Sequence, residues 1–125
     1  MKLDMVGLIV QDMQQALDFY QLLELKPLVG TADDAYMELA NEGVRISLNR
    51  LDMMNDVLGF EPEFIGDKVE LAFAADSKEE VDQLFHRIQQ HGYNIVREPW
   101  EAPWGQYYAL VRDADQNIIS LFYNV

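Results

Sequence analysis

A pattern that recurs at a constant offset of 65 residues constrains this chain more than any other feature, because it fixes the order of elements twice over. The segment from Val6 to Tyr20, VGLIVQDMQQALDFY, lies over the segment from Leu71 to Phe85, LAFAADSKEEVDQLF. Each copy opens with a short apolar run of strand formers and reaches a residue able to cap a helix, Asp12 or Ser77. Gln15 or Glu80 follows three positions later, the spacing of a capping box. Apolar residues then recur with helical period: Ala16, Phe19, Tyr20 and Leu23 in one copy, Val81, Leu84, Phe85 and Ile88 in the other. The first helix must end before Pro27, and the second at His91-Gly92, where glycine supplies a left-handed stop.

Short strands follow each helix. In the first copy they are Leu28-Val29, Ala35 to Ala40 and Val44 to Asn49, the last two joined by the hairpin signal Asn41-Glu42-Gly43. In the second they are Tyr93 to Arg97, Gln106 to Arg112 and Asn117 to Tyr123, the last two joined by Asp113-Ala114-Asp115-Gln116. The order is βαβββ twice, with module 1 at about 1–49, a link at about 50–67 and module 2 at about 68–125. The link, RLDMMNDVLGFEPEFIGD, reads as irregular, with one helical turn at Met53 to Leu58. Four strands and one helix bury an apolar face only marginally, so the two modules are expected to share a core or an interface in one α+β domain over 1–125.

A chain of 125 residues can build its core without disulfides, and none is available, since cysteine is absent. Thiol nucleophiles and thiolate metal sites go with it. No apolar run approaches the ~20 residues of a membrane span, and Asp4 interrupts what would be the apolar core of a signal peptide, so a cytoplasmic location is expected. Twenty-two acidic against nine basic residues, a formal net charge of -13, repel phosphates, which excludes nucleic acid and anionic membranes as expected partners. The same field attracts a cationic small molecule.

The doubled βαβββ unit, the opening GLIVQDMQQALDFY and the closing WGQYYALVRDADQNIISLFY resemble the vicinal oxygen chelate superfamily, which includes glyoxalase I, extradiol dioxygenases and bleomycin-resistance proteins. In the closing turn, Asp113-Ala114-Asp115-Gln116-Asn117 stands where the family has Asp-Pro-Asp-Gly-Asn. The resemblance covers Leu3 to Tyr123 and implies two curved, cup-shaped mixed sheets with helices on their outer faces, and a homodimer. In the metal-dependent members each module gives two ligands to a divalent ion, one from its first strand and one from its last. Carried over, those positions are Met5, Ser47, Glu70 and Ser120. Only Glu70 is a conventional ligand, because a thioether is soft and a neutral serine hydroxyl is a poor donor. His86 and His91 fall on the second helix, outside the cup. A metal-free member without cofactors is the expectation.

Alternation from those four positions turns Gly7, Ile9, Arg45, Asn49, Ala72, Ala74, Ile118 and Phe122 into the cup as well. Arg45 can instead pair across its hairpin with Glu38 and be structural. Module 2 carries an insertion, Arg97 to Gln106, in which two tryptophans, two prolines and a glycine read as a stiff loop. Trp100 and Trp104 offer flat faces to a ligand, or pack over the sheet edge. Of Tyr107 and Tyr108, one faces the cup. The candidate binding residues are thus Met5, Arg45, Ser47, Glu70, Trp100, Trp104, Tyr107, Ser120 and Phe122. The leading expectation is a small-molecule binding protein of the bleomycin-resistance type, holding a planar or cationic ligand. The alternative is a lyase or isomerase with Glu70 as catalytic general base, its pKa raised by an apolar cup. A metal-dependent glyoxalase or dioxygenase ranks behind both.

Overall fold

Asp12 and Ser77 cap their helices as the spacing predicts: the Asp12 carboxylate accepts from the backbone N–H of Gln15 at 2.9 Å, and Ser77 Oγ from that of Glu80 at 3.0 Å. A computed structural model describes all residues, Met1–Val125, in two compact units, Met1–Phe64 and Ile65–Val125.

The first unit runs β1 (Met5–Val10), α1 (Met13–Leu22), β2 (Pro27–Val29), β3 (Tyr36–Leu39), β4 (Arg45–Arg50) and α2 (Leu51–Leu58). Its sheet has the order β1-β4-β3-β2, with β1 parallel to β4 and the other pairs antiparallel. Every second residue of the strands, Leu8, Val10, Met37, Leu39, Ile46 and Leu48, is buried, as are Met13, Ala16, Leu17, Phe19 and Tyr20 of α1. Period 2 therefore meets period 3.6 in one apolar layer, where each large side chain removed from water contributes ~1.5–3 kcal/mol.

The second unit runs β5 (Glu70–Ala74), α3 (Lys78–Gln90), β6 (Ile95–Ala102), β7 (Gln106–Arg112) and β8 (Ile118–Asn124), in the order β5-β8-β7-β6. Again only the first pair, β5 with β8, is parallel. Ala109, Val111, Ile119 and Leu121 are buried with Val81, Leu84, Phe85 and Ile88 of α3. The architecture is α+β, two four-stranded mixed sheets with βαβββ order repeated.

Two segments depart from the sequence reading. The helical turn expected at Met53 to Leu58 is a two-turn helix that starts at Leu51. Asp52 anchors its start, accepting from Met53 N at 2.8 Å and from Arg50 Nε at 2.7 Å, and Gly59 ends it at φ 78°. The insertion from Arg97 to Gln106 is not a loop. β6 continues through Ala102 and pairs with β7, and only Pro103, Trp104 and Gly105 turn. Proline is compatible with this strand because Pro99 sits in one of two bulges, between Arg97 and Trp100, where no ladder N–H is required. No helix of the chain is long and apolar enough to cross a membrane.

Candidate functional site

In each unit the face of the sheet away from the buried layer carries the polar residues singled out by alternation. In the first unit these side chains satisfy one another. Met5 Sδ accepts from Arg45 Nη2 at 3.3 Å and from the Tyr36 hydroxyl at 3.6 Å. Arg45 also forms ion pairs with Glu38 and Asp4, each at 3.5 Å, which gives it the structural role that pairing with Glu38 implies. Buried Ser47 accepts from Asn49 Nδ2 at 2.8 Å, and a Cβ on Gly7 would meet those two side chains at 3.2 and 3.0 Å. Met5, Arg45 and Ser47 therefore have partners within their own sheet.

The second unit differs. Register places Glu70, Ala72 and Ala74 of β5 on one face with Ile118, Ser120 and Phe122 of β8 and with Tyr108, Leu110 and Arg112 of β7. Glu70, Ala72 and Ala74 are exposed. Ser120 is fully buried, and its Oγ completes no hydrogen bond. The Tyr108 hydroxyl donates to Glu70 Oε1. Trp100 pairs with Tyr108 across the β6–β7 ladder, and Trp104, 58 % exposed, stands against both. The three rings meet edge to face at 5.4 to 5.9 Å between centroids, while Tyr108 stacks on Phe122 at 6.5 Å. Arg97, opposite Leu110, lays its guanidinium 3.6 Å from the centroid of the Trp100 ring. Arg112 closes the same face by donating to Asp67 at 2.7 Å, which holds the Asp67 carboxyl below the usual carboxylate range. The structure thus brings Glu70, Trp100, Trp104, Ser120 and Phe122 together and adds Arg97, Tyr108 and Arg112.

Tyr107 is a correction. One position from Tyr108, it points to the helix side, where its hydroxyl donates to Asp82 of α3 at 2.7 Å and Lys78 Nζ lies 5.6 Å over its ring. Strand parity allows only one of two neighbouring residues on a given face. The Asp82 hydrogen bond, with burial and the Asp82 charge behind it, pushes the Tyr107 phenol up to about 12. Because the folded value lies above the usual ~10, the stabilisation is complete below pH ~10 and is lost as pH rises through about 12. Denaturant titrations should show wild type losing its advantage over Tyr107→Phe across that window; a constant difference would refute the linkage. The Tyr108 phenol is raised too, first by burial and then by its bond to Glu70. It is a protonated donor at neutral pH.

The four positions where the resemblance implies a metal do not fit one. Met5 offers a thioether already committed to Tyr36 and Arg45, Ser47 accepts from Asn49, and Ser120 offers a neutral hydroxyl. Glu70 is a single carboxylate, and nowhere do three His, Asp or Glu side chains come together.

A repeated βαβββ sheet with one polar face defines the class of protein. The family model for the Glyoxalase/Bleomycin resistance protein/Dioxygenase superfamily matches residues 2–121, and the chain belongs to that superfamily. It is similar to a glyoxalase/bleomycin resistance protein/dioxygenase family enzyme from Burkholderia phytofirmans PsJN (21% identity, all of both chains, TM-score 0.88). It is also similar to a glyoxalase-related enzyme from Fulvimarina pelagi (18% identity, 97% of this chain and 86% of that one, TM-score 0.86). A lactoylglutathione lyase from Agrobacterium tumefaciens is 18% identical over 96% of this chain and 91% of its own, with a TM-score of 0.71. At such identities the likeness is one of fold alone. No curated protein matches the sequence significantly.

Proposed function

We propose that this protein binds a planar small molecule, without a metal, on the open face of the second unit, and that it acts as a homodimer. The observation that carries the binding reading is the contrast between the two sheets. The first spends its polar groups on each other. The second leaves a buried hydroxyl, Ser120, without a partner beside exposed alanines and a cluster of three aromatic rings. A site with apolar, flat walls and few placed polar groups suits a planar ligand. A cationic substituent has only Glu70 to meet, because Arg97 already covers the Trp100 ring. Self-association has support in the first unit, where Val57, Leu58, Phe60 and Phe64 are exposed.

Saturable quenching of tryptophan fluorescence by planar aromatic compounds tests the reading. Trp104→Ala, which removes the most exposed ring of the cluster, should weaken the tightest of them ~10- to 100-fold, about the worth of one aromatic stacking contact of ~1–3 kcal/mol. Absence of saturable binding by any planar compound would sink it. The bond from Tyr108 to Glu70 favours a second reading, a lyase or isomerase in which Glu70 takes a proton and the Tyr108 hydroxyl orients it.

A further inference from the structure

Arg97 differs from the other strand arginines in what it touches. Arg45 meets Asp4 and Glu38, Arg50 meets Asp52 and Arg112 meets Asp67. Arg97 lies on the Trp100 ring with no carboxylate beside it, although the chain carries 22 acidic residues. A guanidinium that stacks uses its flat face, and its five N–H donors, which lie in the plane, stay available to a carboxylate fork. Register adds an independent observation. Arg97 is opposite Leu110, Leu110 is opposite Ser120, and Ser120 is opposite Ala72, so one row crosses the sheet from a free cation to an unpartnered buried hydroxyl. With strands ~4.8 Å apart, the ends of the segment from Arg97 to Ser120 are about 10 Å apart at the backbone, room for one or two fused rings between the side chains.

Resting on the planar-ligand reading, we infer that the ligand is an aromatic carboxylate. Its anionic group sits on the Arg97 guanidinium, its ring lies over Leu110 against the edge-to-face cluster, and a polar group on its far side bonds the Ser120 hydroxyl. The charge of -13 opposes any anion at long range, but salt screens that field over ~8 Å, whereas Arg97 acts at contact. Of the features that would draw a cation, Trp100 is already covered by Arg97, and Glu70 accepts from Tyr108 at one of its two oxygens.

Three probes of one shape separate the possibilities: 2-naphthoate, the neutral 2-naphthamide and the cationic 2-naphthylmethylammonium, titrated by tryptophan fluorescence into wild type, Arg97→Gln and Arg97→Lys. Wild type should bind the carboxylate about tenfold or more tighter than the amide. Arg97→Gln should erase that preference, and Arg97→Lys should keep part of it. Equal affinity for carboxylate and amide, or tightest binding of the ammonium, would overturn the carboxylate assignment and leave planar binding standing. Failure of all three to bind wild type would overturn both.

Discussion

Replacing Asp113 by alanine is expected to lower the unfolding free energy by about 3 kcal/mol and the thermal midpoint by ~10 °C. Asp113 is 3 % exposed, and its side chain organises the whole turn between β7 and β8. Oδ1 accepts from the backbone N–H groups of Asp115 and Asn117, and Oδ2 accepts from Asn117 Nδ2, all at 2.9 Å. Alanine strands two backbone donors inside a turn in which Gln116, between them, already holds the left-handed φ of 68° usually left to glycine. Hydrogen bonds to a charged acceptor are worth ~1.5–3 kcal/mol each at most, and solvent reaching the opened turn recovers part of the loss. Asp113→Asn, which keeps one acceptor oxygen, should cost about 1 kcal/mol. The turn also sets the register that puts Tyr108 opposite Phe122 and Leu110 opposite Ser120, so the planar-ligand binding we propose should weaken with stability in the alanine variant. A denaturation midpoint within error of wild type would show that the turn closes without its carboxylate.

The second large effect contrasts two glycines with the same backbone conformation. Gly30 has φ 77° and Gly43 has φ 87°. Alanine at either pays roughly 1 kcal/mol for the left-handed region. At Gly43 nothing lies within 4 Å of the added methyl, so the cost should end there. At Gly30 the methyl would stand 2.6 Å from the carbonyl oxygen of Tyr36, a backbone atom that cannot rotate away. Gly30→Ala should therefore cost about 3 kcal/mol, the extra coming from backbone displacement of the overpacking kind. The strand displaced is β3, which aims the Tyr36 hydroxyl at Met5. Chemical denaturation of the two variants side by side is the measurement. Equal losses would mean that the β2–β3 connection moves aside freely.

Much of this molecule is legible in its sequence wherever the controlling interaction is local. The caps at Asp12 and Ser77 and the stop at Gly92, with φ 84°, follow from spacings of a few residues. Alternation places Glu70, Ser120 and Phe122 on one face, since β5 and β8 are regular strands. Arg45 is legible as half of an ion pair because Glu38 lies in the neighbouring hairpin strand. Counting fails at β6. Arg97 and Trp100 are three residues apart, an odd number that would put them on opposite faces of a regular strand. The one bulge between them restores them to one face, and a bulge depends on the partner strand, which periodicity in β6 alone does not contain. The choice between Tyr107 and Tyr108 likewise depends on the partner strand: counting back through the Asp113 turn from Phe122 decides it once the register is known.

Those two irregularities make β6 tolerant of changes in chain length. Between Arg97 and Trp100 two residues, Glu98 and Pro99, stand opposite the single residue Ala109. Deleting one of them would straighten the ladder and still leave Arg97 opposite Leu110 and Trp100 opposite Tyr108. Natural variation by insertion and deletion can therefore act on this rim without disturbing the buried layer behind it, where Ala109, Val111, Ile119 and Leu121 meet α3. The hairpin of β6 and β7, which carries the aromatic cluster, is thus where a descendant of this chain could gain or lose a residue by a single codon and keep its pairing.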